Sequence, residues 1–150
     1  MPMDRQKWHY RYLNLAKEVA KWSKDPSSQI GAVAIGNKGQ VLAQGYNGFP
    51  RGIRHSASRL NNKETKYKYI VHAEQNLIYN ATYNGVCLED SEVYVSGLPV
   101  CSECAKGLIQ VGVKQVIMPS PPEDTPGKWL ESWELSKALF SECKVQWQFL

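Results

Sequence analysis

Apolar positions open this chain at alternating spacings of four and three, at Trp8, Tyr12, Leu15, Val19 and Trp22, with Lys7, Arg11, Lys17 and Lys21 off the stripe. That spacing predicts a helix over residues 4–22 whose aromatic stripe packs into the core, with Asp4 as its N-cap. Ser23-Lys24-Asp25-Pro26-Ser27-Ser28 ends it, because proline cannot continue a helix and Asp and Ser favour turns. The pattern then changes to short apolar runs. Residues 30–35 and 41–46, joined by Gly36-Asn37-Lys38-Gly39, read as the strands of an antiparallel hairpin. The stretch Gly45-Tyr46-Asn47-Gly48-Phe49-Pro50-Arg51-Gly52 is too rich in glycine and proline for regular structure. It is expected to be a loop leaving a strand end, where binding groups tend to sit. Residues 53–70 are polar and basic without a period, which predicts solvated surface.

The second half alternates. A helix is expected from His72 to about Tyr83, stopped by Asn84-Gly85, and a strand over 92–95 leads into the Gly97-Leu98-Pro99 loop. A second helix runs from Cys101 to about Val111, a strand covers 113–118, an amphipathic helix follows over about 126–142, and a strand over 145–150 closes the chain. Strands alternating with helices behind an opening hairpin imply an α/β domain, a three-layer α/β/α sandwich around a central mixed five-stranded sheet.

Composition narrows the class without deciding it. At 150 residues, with 43% hydrophobic and 21% charged positions, a single globular domain over 1–150 is expected. No apolar run approaches the roughly 18 residues of a membrane span, and Met1-Pro2-Met3-Asp4-Arg5 does not read as a signal peptide, so a cytoplasmic protein is expected. The four cysteines are then expected to be reduced, with Cys87 and Cys143 as packing residues. A net charge of +4 suits an anionic small molecule. No interleaved aromatic and basic platform is visible, so nucleic acid is not the expected partner.

The chemistry concentrates in His72-Ala73-Glu74 and Cys101-Ser102-Glu103-Cys104, with Pro99 shortly before the cysteines. In this order the two halves match the zinc nucleobase deaminase pattern, in which one His and two Cys hold Zn²⁺ and a Glu that is not a ligand moves protons. Three protein ligands leave the fourth position of a tetrahedral zinc open, and a zinc-bound water loses a proton near neutral pH. His72, Cys101 and Cys104 are the expected ligands and Glu74 the expected proton carrier. Both cysteines fall in the first turn of their helix, whose positive end favours thiolate. A surface His and Glu beside a buried cysteine pair is the competing explanation.

Together with residues 23–32, 45–52 and 68–76, this motif resembles the cytidine deaminase superfamily, most closely its deoxycytidylate (dCMP) deaminases, over about residues 8–118. The resemblance implies conversion of dCMP to dUMP in a homo-oligomer, usually a hexamer, activated by dCTP with Mg²⁺ and inhibited by dTTP. It implies that Asn47 holds the deoxyribose and the Ala73 backbone orients the base. Lys24 is a candidate phosphate contact, and Gly45, Tyr46, Asn47, Gly48 and Arg51 are candidates for an effector nucleotide. One departure is Val100, inserted between Pro99 and Cys101 where the family has proline directly before the cysteine. The alternatives are a deaminase of deoxycytidine, dCTP or tRNA adenosine, and a non-catalytic nucleotide-sensing zinc protein.

Overall fold

Side chains along the three central strands of the sheet alternate between two hydrophobic clusters, as the two-residue repeat of a pleated strand requires. The computed structural model describes residues 4–150, so part of the Met1–Arg5 reading lies outside the described residues. Strands β1 (Gly31–Ile35), β2 (Val41–Tyr46), β3 (Glu92–Ser96), β4 (Gln115–Met118) and β5 (Gln146–Phe149) form one sheet in the order β2-β1-β3-β4-β5. β1 is antiparallel to β2 and β3, whereas β3, β4 and β5 run parallel. Val33, Ile35, Tyr94 and Ile117 face α1 (Arg5–Ala20). Ala32, Ala34, Val93, Val95, Val116 and Met118 face the opposite layer. That layer consists of α4 (Ala73–Tyr83), α5 (Ser102–Gln110) and α6 (Gly127–Glu142). The expected three-layer α/β/α arrangement with a mixed five-stranded sheet is therefore observed. Among the described residues, no helix is long and apolar enough to cross a membrane.

The first helix is capped as expected, with the Asp4 side chain accepting the Lys7 N–H at 3.2 Å. Its buried face is rotated from the expected one. His9, Leu13, Ala16, Val19 and Ala20 are buried, while Trp8 and Leu15 are each 37% exposed and Trp22 is 52% exposed. The cause is close approach to the sheet: a Cβ on Gly31 would lie 2.2 Å from the Ala16 carbonyl oxygen, so only small side chains fit at the contact. The aromatics move to the margin, where Trp8 stacks beside Tyr12 under the Arg11 guanidinium.

Three further expectations are corrected. Residues 53–70 are not irregular: they form α2 (Ala57–Asn61) and α3 (Lys63–Tyr69), capped by Ser56 and Asn62. Helices of five and seven residues are too short to imprint a repeat on the sequence. Gly45 and Tyr46 belong to β2, so the loop begins only at Asn47. Cys87 and Cys143 are exposed, because each lies just past a helix end, and they do not pack in the core.

Candidate active site

His72 and Cys101 each occupy the extended N-cap position of a helix, α4 and α5 respectively. The backbone ahead of His72 is tied to the loop after β2, since the Val71 N–H donates to the Gly48 carbonyl at 2.7 Å and the Gly48 N–H donates back at 3.1 Å. The His72 N–H in turn donates to Gln75 Oε1 at 3.0 Å. On the cysteine side the inserted Val100 is fully buried. Its carbonyl accepts from Ser136 Oγ at 2.7 Å, its N–H points at Met118 Sδ, and the Ser102 N–H donates to Ser132 Oγ at 2.9 Å. The insertion is thus absorbed into the core, and two serines of α6 hold the loop that presents Cys101.

These supports bring the expected ligands together. Cys101 Sγ and Cys104 Sγ each lie 3.4 Å from His72 Nδ1, and the three donor atoms lie within 4.8 Å of one another. A tetrahedral ion with bonds of roughly 2.3 Å to sulfur and 2.0–2.1 Å to nitrogen separates N from S by about 3.6 Å. The donor set therefore fits zinc in both chemistry and spacing. The hydrogen bond from Cys104 pulls the Cys101 thiol down to about 4 against its burial, with His72 adding to the effect, and the same bond pushes Cys104 up. Without a metal, Cys101 is the thiolate and Cys104 the thiol of the pair; a bound zinc would take the place of that thiol proton. Hydrogen bonding to Cys101 raises His72.

Glu74 is buried at 4% exposure, and burial, together with the charge on Cys101, pushes it up to about 7 with His72 opposing. A carboxyl titrating near neutrality can both take a proton and give it back. It lies on the wall of a cavity of about 410 Å³ together with His72, Ala73 and Cys101. Tyr67, Trp129 and Trp133 form an aromatic side of this cavity, and residues 122–126 form part of its wall.

The other expected site residues divide. Asn47 and Ala73 are buried and line the cavity. The Asn47 amide is already engaged: Oδ1 accepts the Ile30 N–H at 2.9 Å, and Nδ2 donates to the Ser28 carbonyl at 2.8 Å. It shapes the wall between two loops, with acceptor capacity left on Oδ1. Lys24 is exposed and outside the cavity wall. Gly45 packs against α4, Tyr46 sits edge-on to Trp22, and Gly48 pairs with Val71. Arg51 donates to Asn80 Oδ1 at 2.7 Å and lies over the Tyr83 ring. Of the five effector candidates, Asn47 alone reaches the cavity.

Sequence reasoning missed Asp25 and Lys66, which form a buried ion pair at 3.1 Å on the cavity wall. Asp25 also accepts the Ser27 and Ser28 N–H groups at 2.8 and 3.1 Å, the turn that Asp-Pro-Ser-Ser chemistry favours. That turn was legible; its partner 41 residues away was not.

A His/Cys/Cys donor cluster beside a buried carboxyl has the composition of a zinc deaminase centre. The sequence profile described as "Cytidine and deoxycytidylate deaminase zinc-binding region" matches residues 6–120, and the chain belongs to this deaminase family. An uncharacterized deaminase from the luxG 3′ region of Aliivibrio fischeri is 37% identical over 140 residues, covering 93% of this chain and 91% of the relative. The human deoxycytidylate deaminase is 38% identical over 124 residues, covering 78% of this chain and 67% of its own. The fold is shared with the dCMP deaminase of cyanophage S-TIM5, whose structure in complex with dCMP and dUMP superposes with a TM-score of 0.76 at 21% identity, covering all of both chains.

Proposed function

We propose that this protein hydrolyses dCMP to dUMP and ammonia. The observation that carries the reading is the buried Glu74 carboxyl, near neutrality, on one cavity wall with His72 and Cys101, whose donor atoms cluster with that of Cys104 behind them. The deoxycytidylate deaminase relatives supply the substrate. Held by those three side chains, zinc would supply water activated at neutral pH. Glu74 takes the proton that water gives up and delivers it to N3 of cytosine. As that proton reaches N3 the C4–O bond forms; Glu74 then takes the second proton, from the new C4 hydroxyl, and passes it to the 4-amino group, so that the C4–N bond breaks and ammonia leaves. Burial keeps Glu74 able to hold the proton between these steps. Asn47 fixes the wall that receives the sugar, and the Ala73 backbone lies where the base is oriented.

The proposal extends to a homohexamer activated by dCTP with Mg²⁺ and inhibited by dTTP, favoured by the family resemblance of the 45–52 loop. Tyr46 at the end of β2 and Arg51 in the loop after it lie off the cavity wall, where an effector would not compete with substrate. A second reading, deamination of deoxycytidine, is favoured by the exposed acidic pair Glu123 and Asp124 on the cavity wall.

The deciding experiment is ammonia release by the zinc-loaded protein from deoxycytidine, dCMP and dCTP, with and without effectors. dCMP is expected to turn over selectively; selective turnover of deoxycytidine would transfer the assignment to the second reading. In Glu74→Gln, zinc content is expected to persist while kcat falls at least ~10²–10⁴-fold. Full activity in that variant would remove Glu74 from its role.

A further inference from the structure

Lys66 is the one lysine among the buried residues, with both its side chain and that of Asp25 only 5% exposed. A charge in that position requires a partner, and Asp25 Oδ1 at 3.1 Å supplies one. The two ends of the pair are not equally satisfied. Asp25 also accepts from the Ser27 and Ser28 N–H groups and, at 3.5 Å, from Asn47 Nδ2. The ammonium carries three donors and meets one acceptor, with the Tyr67 ring 5.6 Å away. Lys66 lines the substrate cavity, together with Ser27, Ser28 and the exposed Lys63. A buried cation with donors to spare, on a wall that also carries two serines and a second lysine, is matched by an anionic oxygen cluster.

We propose that Lys66, oriented by Asp25, is the specificity-determining contact that reads the substrate's 5′-monophosphate. This deepens the proposed function and rests on it. The exposed Glu123 and Asp124 on the cavity wall add negative charge there, which disfavours the larger charge of a triphosphate. Asp25 is a positioning residue, acting through Lys66 and, by way of Asn47, on the wall next to the Gly48–Val71 bridge that leads to His72.

The test compares dUMP with deoxyuridine as ligands of the zinc-loaded protein by calorimetry, alongside ammonia release from dCMP and deoxycytidine. The wild type is expected to favour dUMP by about 10- to 100-fold, the range of one charge-assisted contact. Lys66→Met combined with Asp25→Asn removes both charges without leaving either unpaired. That double variant is expected to bring the two ligands within about 3-fold of each other, and Lys66→Arg to keep most of the preference. An undiminished preference in the double variant, or none in the wild type, overturns the proposal. Should the double variant fail to load zinc, the wild type decides: the Lys66 Nζ resonance is expected to shift with inorganic phosphate and not with deoxyuridine, and an unmoved resonance refutes the contact. Absence of turnover on both cytosine compounds would sink the deaminase reading, while the ligand ratio still judges Lys66.

Discussion

Replacing Gly45 with alanine tests how the metal site is positioned. β2 lies directly on α4: a Cβ at Gly45 would fall 2.3 Å from the Leu77 nitrogen, 2.5 Å from the Ala73 carbonyl oxygen and 2.8 Å from the Asn76 carbonyl carbon. All three are backbone atoms of the helix that carries His72 and Glu74 at its start, so no side chain can swing away. Ordinary contact begins at 3.4 Å, and the strand and helix must separate by about 1 Å to reach it. Overpacking of this kind costs about 1–3 kcal/mol, or a Tm lower by up to ~10 °C in a chain this long. A displacement of that size at the catalytic groups also lowers turnover by about 10². Gly48→Ala is the control, since no heavy atom lies within 4 Å of its Cβ. Calorimetry of both zinc-loaded variants should show a large loss for Gly45→Ala and a Tm near wild type for Gly48→Ala. A Gly45→Ala protein melting within ~1 °C of wild type would refute the close-packing argument.

Ser136→Ala leaves the buried Val100 carbonyl without its 2.7 Å donor, and a loss of about 1–3 kcal/mol is expected in urea unfolding with an unchanged m-value. A loss below ~0.5 kcal/mol would mean that α6 does not anchor the cysteine loop. Stability should also fall in mild acid through His9, which burial holds below its ordinary 6.5, with Arg5 adding to the effect and Glu92 opposing it. As pH drops below 6.5 the unfolded chain takes up this proton first, so the contribution is complete above that pH and declines toward the lowered native value. Urea midpoints from pH 7.5 to 5 should fall less steeply in His9→Gln than in wild type; parallel slopes would exclude His9.

The strands and long helices were readable because each is long enough to show its repeat. β2 spans the expected 41–46, and α4 differs from its expected bounds by one residue at the start. The candidate site residues stood out for another reason: zinc deaminase chemistry restricts residue types so tightly that His72, Cys101 and Cys104 as expected ligands, and Glu74 beside them, are picked out before any geometry is known. Which face of α1 would be buried was not readable. The aromatic stripe has the larger apolar surface, but the contact is set by a backbone approach at Gly31 that lies outside the helix's own sequence. The charged wall was hidden for a similar reason. Lys66 sits in a stretch whose composition reads as solvent-facing, and its burial follows only from Asp25, which folds against it from far along the chain.

Two parts of the cavity wall consequently rest on different kinds of support. The metal end is held by paired backbone at Gly48 and Val71 and by serines of the 16-residue α6, anchored in the core through Phe140. Another part of the wall is carried by α3, through Lys63, Lys66 and Tyr67, and α3 and the α2 before it, at seven and five residues, cannot sustain helices by local propensity. Their order depends on two side-chain caps and on a buried lysine paired with another loop. A change in residues 63–70 or 122–126 therefore acts on the cavity wall away from α4 and α5, whereas a change at Gly45 or Ser136 acts on the backbone that presents His72 and Cys101. If Lys66 reads the substrate's phosphate as proposed, substitutions in the region with the weakest local signal should change nucleotide preference while leaving zinc content unchanged, which metal analysis and ligand competition on the same variants would separate.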